Sequence, residues 1–448
     1  LSYAFTFPRI PIQWNRVSLL FVNSAILHLN ALQSNVELLQ KLREKLQPIA
    51  LDRLNVIHVS GTKGKGSTCA FVESILRRVG FRTGLYTSPH LVHVRERIRI
   101  NGKPISEDLF SKYFFIVYNK LKKHEVEDGM PGYFKFLTLL AFHVFLEESV
   151  DVAIVEVGIG GEYDNTNIIQ HPIVCGVTTL DIDHTSLLGS SLLEIAWQKA
   201  GIMKSGAPVI VSPSSEDVLS VAPCYQSYSY AKGNISPGIA GDHQKCNMSL
   251  ALQLSRAWLK QMGFEGSSLT YVPATIVEAI ESCNWRGRSQ IVITDRVRYY
   301  LDGAHTPKSM EVCSNWYSEV LETIPTRRHV LIFHCTADRD PSNLLPYLTK
   351  HMFDYSLFCP TVLSTLPDKK CDVANFNQSA ADQRARSDQC ATTWKKIGTG
   401  VSVLVFDCIT SAIQWVERLS DTENLEVLVT GSLHLVGGVL SLIEPSVE

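Results

Sequence analysis

VIHVSGTKGKGSTCAFVESIL, residues 56–76, runs from an apolar strand through a glycine-rich turn directly into an amphipathic helix. Gly61, Gly64 and Gly66 let the backbone bend until successive N–H groups converge. Lys65 adds a point charge, and Ser67 with Thr68 opens the helix at the positive end of its dipole. Parts in that order make a phosphate cradle. The spacing departs from the usual nucleotide loop, a glycine, four residues and then Gly-Lys-Ser/Thr. Val59 stands where the first glycine is expected, and Gly66 separates Lys65 from Ser67. The bland alternative, a tight strand-to-helix connection, requires neither the lysine nor the hydroxyls.

The 448 residues exceed one ordinary core, so two or three domains are expected. Lys plus Arg number 42 against 44 Asp plus Glu, and 45% of residues are hydrophobic, a globular composition with no electrostatic reason to expect nucleic acid as partner. The 11 cysteines lack CxxC spacing, and several fall in apolar runs at 173–177 and 332–335. They read as buried thiols rather than a zinc site or a disulfide framework. The most apolar early stretch, 18–29, is broken by Asn23, Ser24 and His28, so no integral membrane segment is expected. No acidic residue precedes Glu37, and Arg9 and Arg16 lie among serine and apolar residues. Residues 1–22 therefore read either as the remnant of an organelle-targeting leader or as an irregular arm.

Helical spacing over 23–47 predicts a lead-in helix. Residues 81–86 predict a buried strand that delivers Thr87-Ser88-Pro89-His90. The alternation over 92–105, with its Asn101-Gly102 turn, predicts an exposed hairpin or flap. Its Arg95, Arg97, Arg99 and Lys103 read as a solvated face or, alternatively, as a hold on an anionic substrate. Helices are expected over 109–123 and 133–147. Residues 150–157 predict a buried parallel strand ending in Glu156, with Gly158, Gly160 and Gly161 behind it. A carboxylate at the carboxyl end of such a strand, facing the crevice of the phosphate loop, is where a magnesium-binding acid belongs; capping a turn is its structural alternative. The strand 172–180 delivers Asp181, Asp183 and His184, and Lys199 ends the helix 192–199. A lone histidine is usually a core residue and a lone lysine a surface one, but their joint position downstream of Glu156 argues for a site. A strand at 209–211, a loop-dominated 212–241 and a helix over 240–259 carrying His243 and Asn247 follow.

The pattern resets at 282–287. Strands near 291–301, 330–335, 355–359, 401–406 and 425–430 alternate with helices, and the polar stretch 363–391 reads as a surface excursion. The expected fold is α/β: a P-loop-containing, doubly wound N-terminal domain over 23–284 and a smaller Rossmann-like C-terminal domain over 285–448. Asp302 and His305 follow the first strand of the second domain, placed to reach back over a nucleotide.

These segments, read together, make the chain resemble the folylpolyglutamate synthase family of Mur-type ATP-dependent amide ligases. The landmarks are HVSGTKGKGSTCAF, TSPHLVHVRERIRINGKPIS, YFKFLTLLAFHVF, VEVGIGGEYDNTN, DHTSLLG, IAWQKAGIMK, DGAHT, DRDP and VTGSLHLVGGVL, in that order from about Asn23 to Pro445. The resemblance implies that ATP phosphorylates the γ-carboxylate of a reduced folate and that the amine of L-glutamate attacks the acyl phosphate. It implies that Gly64, Lys65, Gly66 and Ser67 hold the ATP phosphates, and that Ser88, Glu156 and His184 are magnesium ligands. Arg288 and Asp302 contact ATP from the second domain, while Asn247 and His305 occupy further nucleotide-facing positions. Lys199 matches the lysine that Mur-type ligases carbamylate, so Lys65, His184 and Lys199 form the expected catalytic set. A carbamylated Lys199 and a monovalent cation stay open as additional cofactors. The resemblance further implies a monomer working on small molecules in the cytoplasm and/or mitochondria, in the matrix or at the inner membrane. Two departures stand out: Trp285-Arg286-Gly287-Arg288 replaces a Trp-Pro-Gly-Arg motif, and His334 and Ala337 stand where relatives tend to carry Phe-Asn and Gly. A bifunctional enzyme that also makes dihydrofolate, a phosphate-loop switch and a non-catalytic folate-binding relative are the alternative readings.

Overall fold

The structure, a computed structural model, describes residues 51, 53–123, 130–212, 222–264, 270–321, 327–336, 339–364, 379–397 and 402–444. The arm 1–22, the lead-in helix expected over 23–47 and Ala337 lie outside the described residues.

Strand β1 (Val56–Ser60) ends at the phosphate loop, from which α1 (Lys65–Val79) departs. Then come β2 (Thr83–Tyr86), β3 (Ile98–Ile100), β4 (Lys103–Pro104), α2 (Glu107–Lys123), α3 (Tyr133–Glu147), β5 (Val152–Glu156), β6 (Val174–Val177), α4 (Thr185–Leu188), α5 (Leu192–Ala200) and β7 (Val209–Val211). They build a seven-stranded sheet in the order β4-β3-β2-β5-β1-β6-β7, paired in parallel except at β2-β3 and β3-β4, which are antiparallel. Both faces are covered, which is why β1 and β5 are buried at every position. Ile57 and Val59 point into a core shared with α1, with α6 (His243–Gln261) and with α7 (Ala274–Glu281). Val56, Ala153 and Val155 point the other way, onto the apolar faces of α2 and α3. Between β7 and α7, β8 (Ser229–Tyr230) and β9 (Tyr271–Val272) form a separate two-stranded pair.

A second sheet follows. Its elements are β10 (Gln290–Ile293), β11 (Val297–Asp302), α8 (Pro307–Leu321), β12 (Arg328–Phe333), β13 (Tyr355–Phe358), α9 (Ala380–Ile397), β14 (Ser402–Val405), α10 (Ile409–Ser420), β15 (Leu425–Thr430) and α11 (Leu433–Ile443). The order is β10-β11-β15-β12-β13-β14, with β10 the antiparallel edge and core clusters on both faces.

Three expectations change. Residues 92–105 do pair as a hairpin, but they are no exposed flap: β3 is zipped to β2, and Val94, Glu96, Arg97 and Ile98 are buried. The cause is Glu96, whose carboxylate accepts the N–H groups of Leu91, Val92 and His93 at 3.0, 3.1 and 2.9 Å and draws the segment inward. The stretch 291–301 is two strands, turned where Thr294 N–H donates to the Val297 carbonyl at 2.9 Å. Within the polar excursion, residues from 380 onward form α9, which buries Cys390, Ala391 and Trp394 in the second core; residues 365–378 lie outside the described residues.

The two sheets are joined by a plug. Leu91 and Val92 leave the first sheet and are buried in the core of the second. A Cβ on Gly437 of α11 would collide with the carbonyl of Leu91, so only glycine admits that approach.

Candidate active site

Gly64 precedes α1 at φ 87°, in the left-handed region, and a Cβ there would run into Asn247 Oδ1. Asn247 is held in turn by donating Nδ2 to Gln244 Oε1 at 2.8 Å. No side chain caps α1 and its first turn carries no acid, so its leading N–H groups stay available to an anion. Ser67 and Thr68 are buried just inside the helix. Lys65 folds back on its own loop, donating to the Gly61 carbonyl at 3.0 Å and to that of Thr62 at 3.4 Å.

Pairing of Val59 with its neighbour across the sheet sets Glu156 beside the end of β1. Its Oε2 accepts the Ser88 N–H at 3.0 Å, and a Cβ on Gly66 would come within 3.5 Å of the same oxygen. Burial pushes this carboxyl above its ordinary value, with Lys65 the chief opposing charge. Gly66, Ser88, Glu156, Trp285, Arg288 and Leu433 line one open cleft between the two sheets. Among the described residues no group of three His, Cys, Asp or Glu side chains is arranged to hold a metal ion. The oxygen-bearing side chains along the cleft are Thr87, Ser88, Glu96 and Glu156. The Glu96 carboxylate is taken up by backbone N–H groups, whereas Glu156 Oε1 accepts no hydrogen bond among the described residues. With the Ser88 hydroxyl it makes a hard-oxygen pair that fits magnesium. His184 is not part of that lining. It caps α4 in a left-handed conformation, φ 51°, and burial lowers its pKa.

Lys199 is buried at the end of α5, and its ammonium donates to the Gly61 carbonyl at 2.9 Å. Burial, then the charge of Lys65, lowers its pKa to about 7. The glycine turn after Glu156 packs against it: a Cβ on Gly161 would meet the Lys199 backbone. Asp164 ties that turn down by accepting the Ile159 N–H at 3.0 Å.

From the second sheet, Arg288 is brought to the cleft, and burial lowers its pKa against the opposing pull of Asp302 and Glu156. Asp302 is committed to structure, accepting N–H groups of Ser289 at 2.8 Å and Ala304 at 2.9 Å. His305 Nδ1 lies 2.8 Å from the Gly303 carbonyl, an obligate acceptor, so Nδ1 carries the proton and Nε2 presents its lone pair. Burial, then Lys63, lowers the pKa of His305 to about 3.

The partner of that lone pair is Lys63, at 3.3 Å, which the sequence reading passed over. Lys63 also donates to Asp183 Oδ2 at 2.9 Å, and Asp183 Oδ1 pairs with Arg339 at 2.8 Å. The only sequence signal was a second lysine two positions before Lys65 and an acid beside His184. Arg97, read as solvated or anion-holding, is buried, donates to His90 Nδ1 at 2.9 Å and covers the Tyr133 ring at 5.6 Å. Of the departures, Trp285 Nε1 would stand 3.3 Å from a Cβ on Gly66, Arg286 pairs with Glu444 at 3.2 Å, and His334 is buried with its pKa lowered to about 4 by burial.

Comparison with known proteins places this arrangement. The family model described as Dihydrofolate synthetase, C-terminal domain, matches residues 288–442. The putative folylpolyglutamate synthase of Caenorhabditis elegans is 50% identical, covering 92% of this chain and 91% of that protein. The mitochondrial folylpolyglutamate synthase of Homo sapiens is 39% identical, covering 91% and 86%. Among solved structures, E. coli FolC in complex with DHPP and ADP is similar with a TM-score of 0.69 at 27% identity, over 95% of this chain and 98% of that one. Mycobacterium tuberculosis folylpolyglutamate synthase complexed with ADP shares the fold, with a TM-score of 0.72 at 22% identity over 95% and 99%. Likeness of this degree along nearly the whole chain, on the same two-sheet fold, means that the protein belongs to the folylpolyglutamate synthase family.

Proposed function

We propose that the chain is an ATP-dependent ligase that joins the amine of L-glutamate to the γ-carboxylate of a reduced folate, releasing ADP and phosphate. The observation that carries this reading is the cleft in which Gly66, Ser88 and Glu156 of the first sheet face Arg288 of the second. The chemistry asks for that arrangement. A carboxylate is a poor electrophile, so one of its oxygens takes the γ-phosphoryl group of ATP as the bond to the β-phosphate breaks. The glutamate amine then attacks the acyl carbon, phosphate leaves with the C–O electron pair, and the amine loses a proton. Every reactant is anionic, and bringing them together is the main task of the protein.

In this reading the α1 amides, Gly64, Gly66, Ser67 and Lys65 hold the phosphates, and Asn247, Arg288, Asp302 and His305 face the nucleotide. Ser88 and Glu156 would hold magnesium, with His184, which lies outside the cleft lining, as the third ligand that the resemblance implies; the ion supplies charge neutralisation on the phosphoryl oxygens when bound. The halves 23–284 and 285–448 serve as nucleotide- and folate-holding base and as lid. Lys199 has the property carbamylation requires, an amine substantially neutral near pH 7. Its nitrogen would attack carbon dioxide and shed a proton, turning a cation into an anionic ligand. No residue is assigned to a monovalent cation. The human, bovine and hamster relatives are named mitochondrial, which supports a place in mitochondria and/or cytoplasm; no described helix is long and apolar enough to cross a membrane.

The test is phosphate release from MgATP with tetrahydrofolate and glutamate, alone and together. Release that ignores both acceptors sinks the ligase reading. A second reading is favoured by one observation, that two Yersinia pestis structures sharing the fold are described as bifunctional folylpolyglutamate synthase/dihydrofolate synthase. Turnover with dihydropteroate in place of tetrahydrofolate selects it.

A further inference from the structure

Asp183 is 5% exposed, yet its carboxylate is shared by cations from both halves of the molecule: Lys63 of the phosphate loop on Oδ2 at 2.9 Å and Arg339 of the second sheet on Oδ1 at 2.8 Å. Lys63 is in addition fixed from the second sheet by the lone pair of His305 at 3.3 Å. One carboxylate with one cation on each oxygen is a rigid bridge, because neither side chain can rotate away without stranding a buried charge. The loop that carries Arg339 is itself anchored: the Arg339 N–H donates to the Thr336 carbonyl at 3.0 Å, and Arg386 of α9 holds that carbonyl at 2.9 Å. A chain of direct contacts therefore runs from α9 through Arg339 and Asp183 to Lys63, two residues before Lys65.

We propose that Arg339 and Asp183 are positioning residues for the ligase reaction, clamping Lys63 and with it the phosphate loop at a set distance from His305 and the second sheet. Lys65 cannot do this, since its ammonium is turned back onto the carbonyls of its own loop. The clamp explains why the loop carries two lysines: one for bound phosphate and one for the opposing half. The proposal rests on the ligase reading for its catalytic consequence, though not for the existence of the clamp.

The test is a double-mutant cycle on Asp183→Asn and Arg339→Ala, read two ways. Thermal unfolding needs no activity. A clamp makes the Tm loss of the double variant smaller than the sum of the single losses, while additive losses overturn it. Steady-state kinetics then read positioning. Arg339→Ala is expected to lower kcat about 10- to 100-fold, the scale of a small misplacement at the reacting atoms. KM for ATP should shift only a few-fold, and Arg339→Lys should restore most of the rate. An unchanged kcat in Arg339→Ala, or a loss borne wholly by KM, overturns the positioning role. Were the parental chain to show no folate-dependent turnover, the ligase reading would fail while the Tm cycle still decided the clamp.

Discussion

The ammonium of Lys199 and that of Lys65 donate to the same carbonyl, Gly61, at 2.9 and 3.0 Å. Burial at the end of α5, and then the charge of the neighbouring Lys65, leave Lys199 with a weakened hold on its proton.

That relationship fixes a pH dependence. The Lys199 pKa falls from 10.5 to about 7 on folding. Below about pH 7 the group is protonated in folded and unfolded chains alike, and its burial cost is fully present. Between about 7 and 10.5 the unfolded chain binds more protons, so stability rises with pH through that window. Lys199→Met should raise Tm more at pH 6 than at pH 9, measured by calorimetry. The same variant should lose ligase rate by about 10- to 100-fold or more, the scale expected on the proposal that its carbamate orders a metal. Equal Tm shifts at both pH values would contradict the buried-cation account.

Glu156 keeps a carboxylate buried beside Ser88, an arrangement that costs stability unless a cation is present. Glu156→Gln should leave Tm unchanged or higher without magnesium, while phosphate release falls roughly 10²- to 10³-fold. A variant that keeps near-parental turnover would remove Glu156 from the metal-binding role.

Gly64 cannot take a side chain for two separable reasons, its φ of 87° and the oxygen of Asn247. Gly64→Ala should cost roughly 1–2 kcal/mol from the left-handed conformation alone, plus the collision. Adding Asn247→Ala should recover the collision part and leave the conformational part, as read by urea denaturation of the single and double variants. Full recovery would mean that the backbone conformation carries no penalty.

Leu91 crosses from the first sheet into the core of the second. Leu91→Ala should destabilise by about 2–3 kcal/mol, near the lower end for a buried leucine. Its signature is a change in cooperativity: the unfolding transitions of the two sheets should separate, seen as two calorimetric peaks or as probe-dependent midpoints. A single sharp transition shifted by the full amount would place the coupling elsewhere.

What the chain declares locally is considerable. The helix 133–147 and the strand 209–211 match the structure residue for residue, and Glu156 ends its strand as expected, because hydrophobic period and glycine placement are properties of neighbours in sequence. The strand, glycine, lysine and helix order of 56–76 likewise needed nothing beyond itself.

Tertiary structure decided what lies opposite. An alternating segment such as 92–105 reports one apolar face and not whether a neighbour covers the other; Glu96, by gathering three backbone N–H groups, buried it. The polar helix 380–397 hides its core contacts because cysteine, alanine and a single tryptophan make a weak apolar stripe. Lys63 met Asp183 and His305 across 120 and 242 residues of chain, and an ion pair between distant loops leaves no periodic trace. The sequence alone therefore determined the phosphate loop and the acid beside it. Only the packing of two sheets on the Leu91 plug decided which charges face that loop, since charge pairing depends on distance in space and not on spacing along the chain.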